Sequence, residues 1–443
     1  MDLERLTEVA LGEAMKRGSD YAVALAVEGN ERMLRFANNS VTVANETEET
    51  DLAVYLSSQG RSAIASTSNP EDTSVRAFVG DLFSSLNGLP QSDLAPLPAR
   101  SSRFRATGGH HDDRIVKAGE TLPELARAAI SSSTQAGGKR SAGIITASEV
   151  GYSIMASNGT RGEDSRTEIT LNIRSFSEGD ASGQGLSCSA TMSDFKPEEA
   201  GRRAGEDARK MVGASVPAAG EYEVLLSPTV ASNIIQSVAA SASAFDVESG
   251  SSYLIDRLGK KVASSSFNLT DHGELKGALG GRSFDDEGMA TGTTPIVKEG
   301  VLVSYLHNLS TARREKTTTT GNAGVVAPHP WNLEVGAGDA QFEELVKEIR
   351  RGVILTSNWY TRFKNRRTGE FSTVPRDGAY LVEGGHIVKP LKGMRLSDDL
   401  PRMLSSVRRL SRAREWVEWW EVQTPTLCPW ILIDGAKITS AFE

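Results

Sequence analysis

The chain has 443 residues, of which 39% are hydrophobic and 24% are charged, and its net charge at pH 7 is −8. This length predicts two or three soluble globular domains, and the acidic balance argues against a nucleic-acid-binding protein, which needs a basic surface. The sequence shows no signal peptide, no apolar run that could span a bilayer, and two widely spaced cysteines, so we expect a cytoplasmic protein with no membrane partner.

Residues 1–105 predict an N-terminal α/β domain. Helical spacing of apolar residues indicates helices over 2–17 and 72–86. Between them the pattern predicts strands that are separated by turns at Gly29-Asn30, Asn38-Asn39 and Gln59-Gly60. The strands cover 21–28, 31–37, 40–46, 50–57 and 61–67. Residues 88–105 are rich in proline and serine and are interpreted as a linker.

Residues 106–217 predict a middle α+β domain. Thr121 and Glu124 have the spacing of a capping box for a helix that ends near residue 134. Strands are predicted over 141–148, 151–157 and 161–177, with Asn158-Gly159 as the turn between the last two. Asp194 is the predicted cap of a second helix that runs through residue 210.

Residues 218–443 predict a larger, β-rich C-terminal domain. It begins with a strand over 221–227 and a helix over 229–245 rich in small residues. Further helices are predicted over 341–350 and within 397–414, and a closing strand over 425–439. Helices and strands alternate irregularly along the whole chain, which favours an α+β fold over a doubly wound parallel sheet.

Two segments in this last domain are candidates for function. Asp285-Asp286-Glu287-Gly288 is either a site for a hard cation, since clustered carboxylates suit Mg²⁺ or Ca²⁺, or a turn in which the acidic side chains bond nearby amides. Tyr305-Leu-His307-Asn308 is followed by Thr317–Thr320 and by Gly321-Asn322. The hydroxyls and free amides of these last residues could hold an anion or a peptide backbone, or they could form a simple turn.

Metal ligands were sought among the six histidines. No two lie four or five residues apart, as a helical zinc motif requires. The cluster His110-His111-Asp112-Asp113 is either a solvated loop or part of an unrecognised metal site. Cys428 is interpreted as a packed core thiol rather than a nucleophile.

A basic stretch with five arginines between Arg402 and Arg414 precedes three closely spaced tryptophans, Trp416, Trp419 and Trp420. Arginine and tryptophan are enriched at interface hot spots. The tryptophans therefore indicate either a subunit interface or an aromatic core.

The order and spacing of several segments resemble the TldD/PmbA family, also called modulators of DNA gyrase. The resemblance begins with Gly18-Ser-Asp20 and the early strands, continues through Gly183-Gln-Gly185 in the middle domain, and covers most of the chain. In the last domain it rests on the following segments: Gly220-Glu-Tyr222-Glu-Val224-Leu-Leu-Ser227-Pro228, Asp285-Asp286-Glu287-Gly288, Gly300-Val-Leu302, Tyr305-Leu-His307-Asn308, Gly321-Asn322, Pro425-Thr-Leu427 and Ile431-Leu-Ile433-Asp434-Gly435.

The resemblance implies a two-subunit cytosolic metallopeptidase that degrades unfolded or flexible peptides. Its zinc-bearing subunit is of the TldD type and its metal-free subunit of the TldE or PmbA type. Zinc-bearing members are expected to carry His-Glu-x-x-x-His in the helix after Ser227-Pro228, but here residues 234–241 contain neither histidine nor glutamate. The chain is therefore similar to the TldE type, with no catalytic residue, metal or other cofactor of its own expected.

Three hypotheses follow for the function. In the first, the chain is the zinc-free subunit and binds an unfolded peptide beside a TldD-like partner, with His307, Asn308, Thr320 and Asn322 as candidate substrate-binding residues. In the second, it is a regulatory or peptide-binding homodimer without enzymatic activity, and the three tryptophans form the interface. In the third, it is an independent metallohydrolase with a metal site at His110, His111 and neighbouring carboxylates.

Overall fold

The structure is a computed structural model that describes residues 2–92, 102–104 and 111–440. Within these ranges the strands form two sheets, one of seven strands and one of thirteen, and helices pack on both. The result is a multi-domain α+β architecture, as the irregular alternation of elements predicted.

The described residues between 2 and 210 contain the seven-stranded sheet and its helices. In chain order these elements are α1 (Leu3–Lys16), β1 (Tyr21–Ala37), β2 (Ser40–Ser58), β3 (Arg61–Thr67), α2 (Asp72–Ser85), β4 (Arg103–Phe104), α3 (Asp113–Val116), α4 (Leu122–Gln135), β5 (Arg140–Ala156), β6 (Arg161–Phe176), β7 (Ser182–Ser189) and α5 (Pro197–Lys210).

The sheet is continuous across the predicted domain boundary at residue 105. Its order is β3-β2-β1-β5-β6-β4, and β7 also pairs with β6. The antiparallel pair of β1 and β5 joins the two halves, with a register from Val23 opposite Ala156 to Phe36 opposite Gly143. The boundary itself stays a prediction, but the residues on its two sides share one hydrogen-bonded sheet.

The strands of this sheet are longer than predicted. The turn predicted at Gly29-Asn30 is wrong, because both residues lie inside β1 and pair with β2 on one side and β5 on the other. The gaps predicted at 47–49 and 149–150 are likewise inside β2 and β5. The turns at Asn38-Asn39 and Gln59-Gly60 are confirmed, and all four residues have positive φ angles.

Both faces of the sheet are covered, because successive side chains of a strand point to opposite sides. The alanines at positions 22, 24 and 26 of β1 pack beneath α1 and α2. Val23 and Leu25 face the other way and belong to a cluster that includes Phe284 of the C-terminal region. The first sheet is thus packed directly against the segment that contains the acidic motif.

Two predicted helix caps are wrong. Thr121 precedes α4, but its hydroxyl donates to the Ala118 carbonyl at 2.9 Å in a preceding turn, so Thr121 and Glu124 form no capping box. Lys196, not Asp194, precedes α5. The Asp194 carboxylate instead accepts a hydrogen bond from a threonine hydroxyl three residues earlier at 2.9 Å.

Residues from 220 onward form the thirteen-stranded sheet and its helices. In chain order these elements are β8 (Gly220–Leu226), α6 (Pro228–Ser241), α7 (Ala244–Glu248), β9 (Leu269–His272), β10 (Thr293–Lys298), β11 (Val301–Leu302), α8 (Leu309–Glu315), β12 (Leu333–Val335), α9 (Phe342–Lys347), β13 (Arg351–Leu355), β14 (Asn358–Asn365), β15 (Glu370–Pro375), β16 (Ala379–Glu383), β17 (His386–Pro390), β18 (Met394–Asp399), α10 (Leu400–Ser405), β19 (Val407–Trp419) and β20 (Val422–Ser440).

The longest strand of this sheet, β20, is its organising element. The main path is β11-β10-β9-β12-β20-β8-β13-β16-β17, and β18 and β19 also pair with β20. Helix α6 packs on β20. It starts where the sequence predicted, because the Ser227 hydroxyl accepts a hydrogen bond from the Val230 N–H and Pro228 occupies the first turn.

The basic stretch that the sequence singled out is neutralised. The helix predicted within 397–414 is confined to α10, and the arginines that follow it lie in β19. Four of the five arginines form ion pairs, and Arg412 donates to the Asp339 carbonyl. The pairs are Arg402 with Asp398 and Glu221, Arg408 with Glu223 and Asp434, Arg409 with Asp339 and Glu348, and Arg414 with Glu334.

None of the helices in the described ranges combines the length and the apolar character that crossing a bilayer requires.

Candidate functional site

The acidic motif folds as a turn around Asp285, which is fully buried. One oxygen of its carboxylate accepts hydrogen bonds from the N–H groups of Glu287 and Met289 at 3.0 and 2.9 Å. Gly288 has a φ angle of +74°, which a residue with a side chain adopts only with strain. The interpretation of this motif as a turn is confirmed, because its first carboxylate is used by backbone amides.

The same carboxylate joins the two motif segments. Its second oxygen accepts from the Ala323 N–H at 3.0 Å, while the Asp286 N–H donates to the Ala323 carbonyl at 3.0 Å. Burial raises the pKa of Asp285 to about 7, and the three backbone donors oppose this shift by stabilising the ionised form. Asp285 therefore acts as the structural centre of the site.

A second buried carboxylate, Asp271 at the end of β9, holds the following loop in place. It accepts from the Asn322 side-chain amide at 2.6 Å and from the N–H groups of Trp331 and Asn332 at 2.7 and 3.1 Å. Burial raises its pKa to about 7. Sequence reasoning missed Asp271, because Asn322, Trp331 and Asn332 lie 51 to 61 residues away from it in the chain.

Arg282 supplies the positive charge of the site. Its guanidinium lies 4.6 and 4.8 Å from the ring centroids of Tyr152 and Trp331 and forms an ion pair with Asp286 at 2.8 Å. Stacking between aromatic rings suits a guanidinium that has lost most of its water. Because Tyr152 belongs to β5, this arginine also ties the first sheet to the C-terminal region.

His307 and Asn308 form the start of α8. The Asn308 side chain accepts from the Thr311 N–H at 2.9 Å and the Thr311 hydroxyl accepts from the Asn308 N–H at 3.1 Å, which makes a reciprocal cap. The His307 ring lies 3.1 Å from the same hydroxyl, and burial lowers its pKa. The His307 N–H donates to the Thr320 hydroxyl at 2.8 Å.

The four candidate substrate-binding residues thus lie in one connected region, but they face different surroundings. His307 and Asn322 are buried and hydrogen-bonded within the protein, and Thr320 bonds to the backbone of His307. Asn308 also lines a cavity. Their role in binding stays a prediction.

This cavity has a volume of about 460 Å³ and lies between the first sheet and the motif segments. Its walls come from β1, β2 and the edge strand β3 on one side and from α7, α8 and the acidic turn on the other. Sequence reasoning missed the strand residues, because nothing in their spacing indicates contact with a motif that follows much later in the chain. Its lining includes the side chains of Val23, Leu25, Tyr55, Ile64, Leu309 and Val325 and those of Asp286, Glu287, Asn308 and Arg314.

The remaining candidates from the sequence lie elsewhere. His110 falls outside the described residues. The His111 ring lies 3.1 Å from Asp113 and 3.8 Å from Glu149. Cys428 is fully buried and burial raises the pKa of its thiol to about 12, which confirms a packed core thiol rather than a nucleophile.

Trp359, Trp419 and Trp420 form one aromatic cluster. Trp359 lies 5.7 Å from Trp419 and 5.2 Å from Trp420, measured between ring centroids. Trp419 is buried, whereas Trp420 is 50% exposed and Tyr360 beside it is 48% exposed. Trp416 is half-buried, and its carbonyl accepts from the Cys188 thiol. The cluster thus combines an aromatic core with an exposed pair.

Comparison with known proteins places the chain in a family. Residues 22–85, 117–212 and 219–440 match the three successive domain models of the PmbA/TldA metallopeptidases, and the last match alone covers half of the chain. The chain belongs to the PmbA/TldD metallopeptidase family.

Individual relatives are more distant. A metalloprotease of Methanocaldococcus jannaschii is 32% identical over 203 residues, which is 44% of each chain. A PmbA homologue of Buchnera aphidicola, also called a metalloprotease, is 28% identical over 219 residues, 49% of this chain and 47% of the relative. The chain therefore spans about half the length of the curated relatives it matches. The crystal structure of TldE from Thermococcus kodakarensis superimposes with a TM-score of 0.85 at 15% identity and covers 98% of this chain and 100% of that one, which shows the same fold.

The family name implies a metal ion, and α6 is the helix where the zinc motif was expected. Its polar side chains are neutral, and Gln236 is already bonded on both sides: its amide donates to the Glu421 carbonyl and accepts from the Gln423 N–H at 3.1 Å. Zn²⁺ takes imidazole, thiolate or carboxylate ligands. Among residues 2–92, 102–104 and 111–440, no group of three histidine, cysteine or acidic side chains is placed to hold an ion. The donor set of α6 does not fit zinc.

Proposed function

We propose that this chain is a zinc-free subunit of the TldE type, which binds an unfolded peptide for cleavage by a zinc-bearing, TldD-like partner. The observation that carries the proposal is the donor set of α6. A helix that holds zinc must present imidazole and carboxylate groups toward one point. The Gln236 amide is instead bonded to Glu421, just before β20, and to Gln423, within β20, and stabilises packing.

The cavity beside β3 supports the peptide-binding part of the proposal. β3 pairs with β2 on one side only, and no other described strand pairs with it. An edge strand offers backbone groups to which an extended peptide can add, whatever its sequence. Ser62, Ala63 and Ile64 of β3 also line the cavity, so a peptide added at this edge would pass beside Asn308 and the acidic turn.

The proposed division of labour predicts where zinc and activity reside. We expect the purified chain to carry close to zero zinc per chain by elemental analysis and to leave casein uncleaved. Addition of a TldD-like subunit should give cleavage that chelators abolish, since the catalytic ion belongs to the partner. The partner alone is the matched control. One zinc per chain, or casein cleavage by the homogeneous chain, would end this proposal.

A second function, a regulatory homodimer without activity, is favoured by the exposed aromatic pair Trp420 and Tyr360. Large exposed aromatic side chains are typical of interface hot spots. Trp419 is unsuitable for a test because it is buried within the subunit.

For this second function we expect Trp420→Ser to convert a dimer to a monomer, because it removes the largest exposed apolar side chain of the cluster. Light scattering measures the mass. Val388→Ser, at a 52% exposed position in β17, is the control and should leave the dimer intact. A Trp420→Ser protein of unchanged mass argues against this interface.

A further inference from the structure

The cavity between the first sheet and the acidic turn has two chemically different ends. Most of its wall is apolar and comes from side chains such as Val23, Leu25 and Ile64 of the sheet and Leu309 and Val325 of the C-terminal region. The acidic turn closes the other end. A ligand that fills such a cavity needs an apolar body and one polar group directed at the turn.

The charged side chains at the polar end of the cavity differ in whether they form ion pairs. Asp286 is paired with Arg282 at 2.8 Å, and the Arg314 guanidinium is paired with Glu248 at 2.6 Å. Glu287 also lines the cavity, yet no arginine, lysine or histidine of the described ranges lies within ion-pair distance of it. One of its oxygens accepts from the Leu309 N–H at 2.8 Å. Within the part of the chain that the structure describes, Glu287 is therefore a carboxylate without a counter-ion, and it lines a largely apolar cavity.

We propose that this cavity binds a primary ammonium group carried on an apolar body, with the Glu287 carboxylate as its counter-ion. The proposal rests on the proposed function in taking a peptide as the ligand. A peptide offers this chemistry either at its amino terminus, next to an apolar first side chain, or at the end of a lysine side chain. Burial makes the pairing strong, because a charge-assisted hydrogen bond gains strength where water is excluded.

The electrostatics around Glu287 favour the binding of a cation. Burial, and then the neighbouring Asp285 and Asp286, raise the pKa of Glu287 to about 8. Tyr55 of β2 and Arg314 of α8 are the other titratable groups that line the cavity. A bound ammonium group favours the ionised carboxylate and lowers this pKa, so binding releases a proton below pH 8. Affinity should therefore rise between pH 6 and 8, by at most about tenfold per pH unit.

The test uses isothermal titration calorimetry on the isolated full chain at pH 7.5, without any partner. The probes are Leu-Ala-Ala-Ala amide with a free amino terminus, its N-acetylated form, and N-acetyl-Ala-Lys-Ala-Ala amide. We expect at least one of the two cationic probes to bind about tenfold or more tightly than the acetylated neutral probe. Preference for the first identifies the peptide amino terminus, and preference for the third identifies a lysine side chain.

Glu287→Gln removes the charge but keeps an acceptor for the Leu309 N–H. It should reduce the preference for the cationic probe to less than about twofold and abolish the rise with pH. Glu178→Gln is the control, because Glu178 is 66% exposed and pairs with Lys139 on the surface. If Glu287→Gln fails to fold, the comparison of the three probes on the unmodified chain still shows whether the cavity prefers a cationic ligand.

Equal binding of all three probes, or no binding of any up to millimolar concentration, overturns the proposal. Either result leaves the zinc content and the partner-dependent cleavage untouched, so failure of this inference is distinguishable from failure of the proposed function.

Discussion

Replacement of Asp285 by alanine is expected to lower the free energy of unfolding by about 3 kcal/mol or more. The substitution leaves the N–H groups of Glu287, Met289 and Ala323 without their acceptor. Each unsatisfied buried donor costs about 1–3 kcal/mol. Because Ala323 lies in the second motif segment, its release should also separate the two segments that form the acidic end of the cavity.

Urea-induced unfolding followed by fluorescence measures this free energy. The value for Asp285→Asn should lie between those of the unmodified chain and Asp285→Ala. Asparagine retains one acceptor oxygen but turns an amide N–H₂ toward the remaining donors. The control is Asp339→Ala, since Asp339 is 73% exposed and pairs with Arg409 on the surface, where a pair contributes less than about 1 kcal/mol. Equal unfolding midpoints for Asp285→Ala and Asp339→Ala would contradict the structural role of Asp285.

Gly185→Ala should destabilise the middle domain by about 3 kcal/mol, the upper end of the usual cost of overpacking. An added Cβ would lie 1.9 Å from the Ala200 carbonyl oxygen of α5, which is backbone and cannot rotate away. Helix α5 cannot retreat either, because Gly201 on its other side already abuts α4, where a Cβ would lie 2.0 Å from the Ala129 carbonyl oxygen.

Gly12→Ala provides the matched control for this glycine substitution. Gly12 lies inside α1 and has nothing within 4 Å of its missing Cβ. Alanine has the higher helix propensity, so this variant should gain up to about 1 kcal/mol of stability. Thermal unfolding of the two variants should therefore shift in opposite directions, and a Gly185→Ala protein that melts like the unmodified chain would show that β7 and α5 are less tightly packed than described.

Much of the local structure could be predicted from the sequence. Helices α1, α2 and α4 and the turns at Asn38-Asn39 and Asn158-Gly159 depend on residues close together in the chain. The acidic turn was also predictable, because Asp285 bonds amides two and four residues ahead. The α+β fold and the family followed from the order of such segments.

The predictions from sequence failed where contacts between distant chain segments determine the local structure. Gly29-Asn30 has the composition of a turn, yet strands on both sides supply hydrogen-bond partners and keep it extended. The arginines of β19 have the composition of a basic patch, but carboxylates from as far away in the chain as Glu223 form ion pairs with them. Trp419 and Trp420 are neighbours in sequence and both contact Trp359. Trp419 is nevertheless buried, in a cluster with Val417 and Val422, whereas Trp420 is 50% exposed.

The sequence by itself therefore determined the family, the class of fold, the turn at Asp285 and the lack of histidine and glutamate in residues 234–241. Only the tertiary structure decided that residues on both sides of position 105 share one sheet and that β1, β2 and β3 form a wall of the cavity beside Glu287. The physical reason is that side-chain periodicity records which face of an element is buried, whereas the partner of that face is set by contacts between residues far apart in the chain.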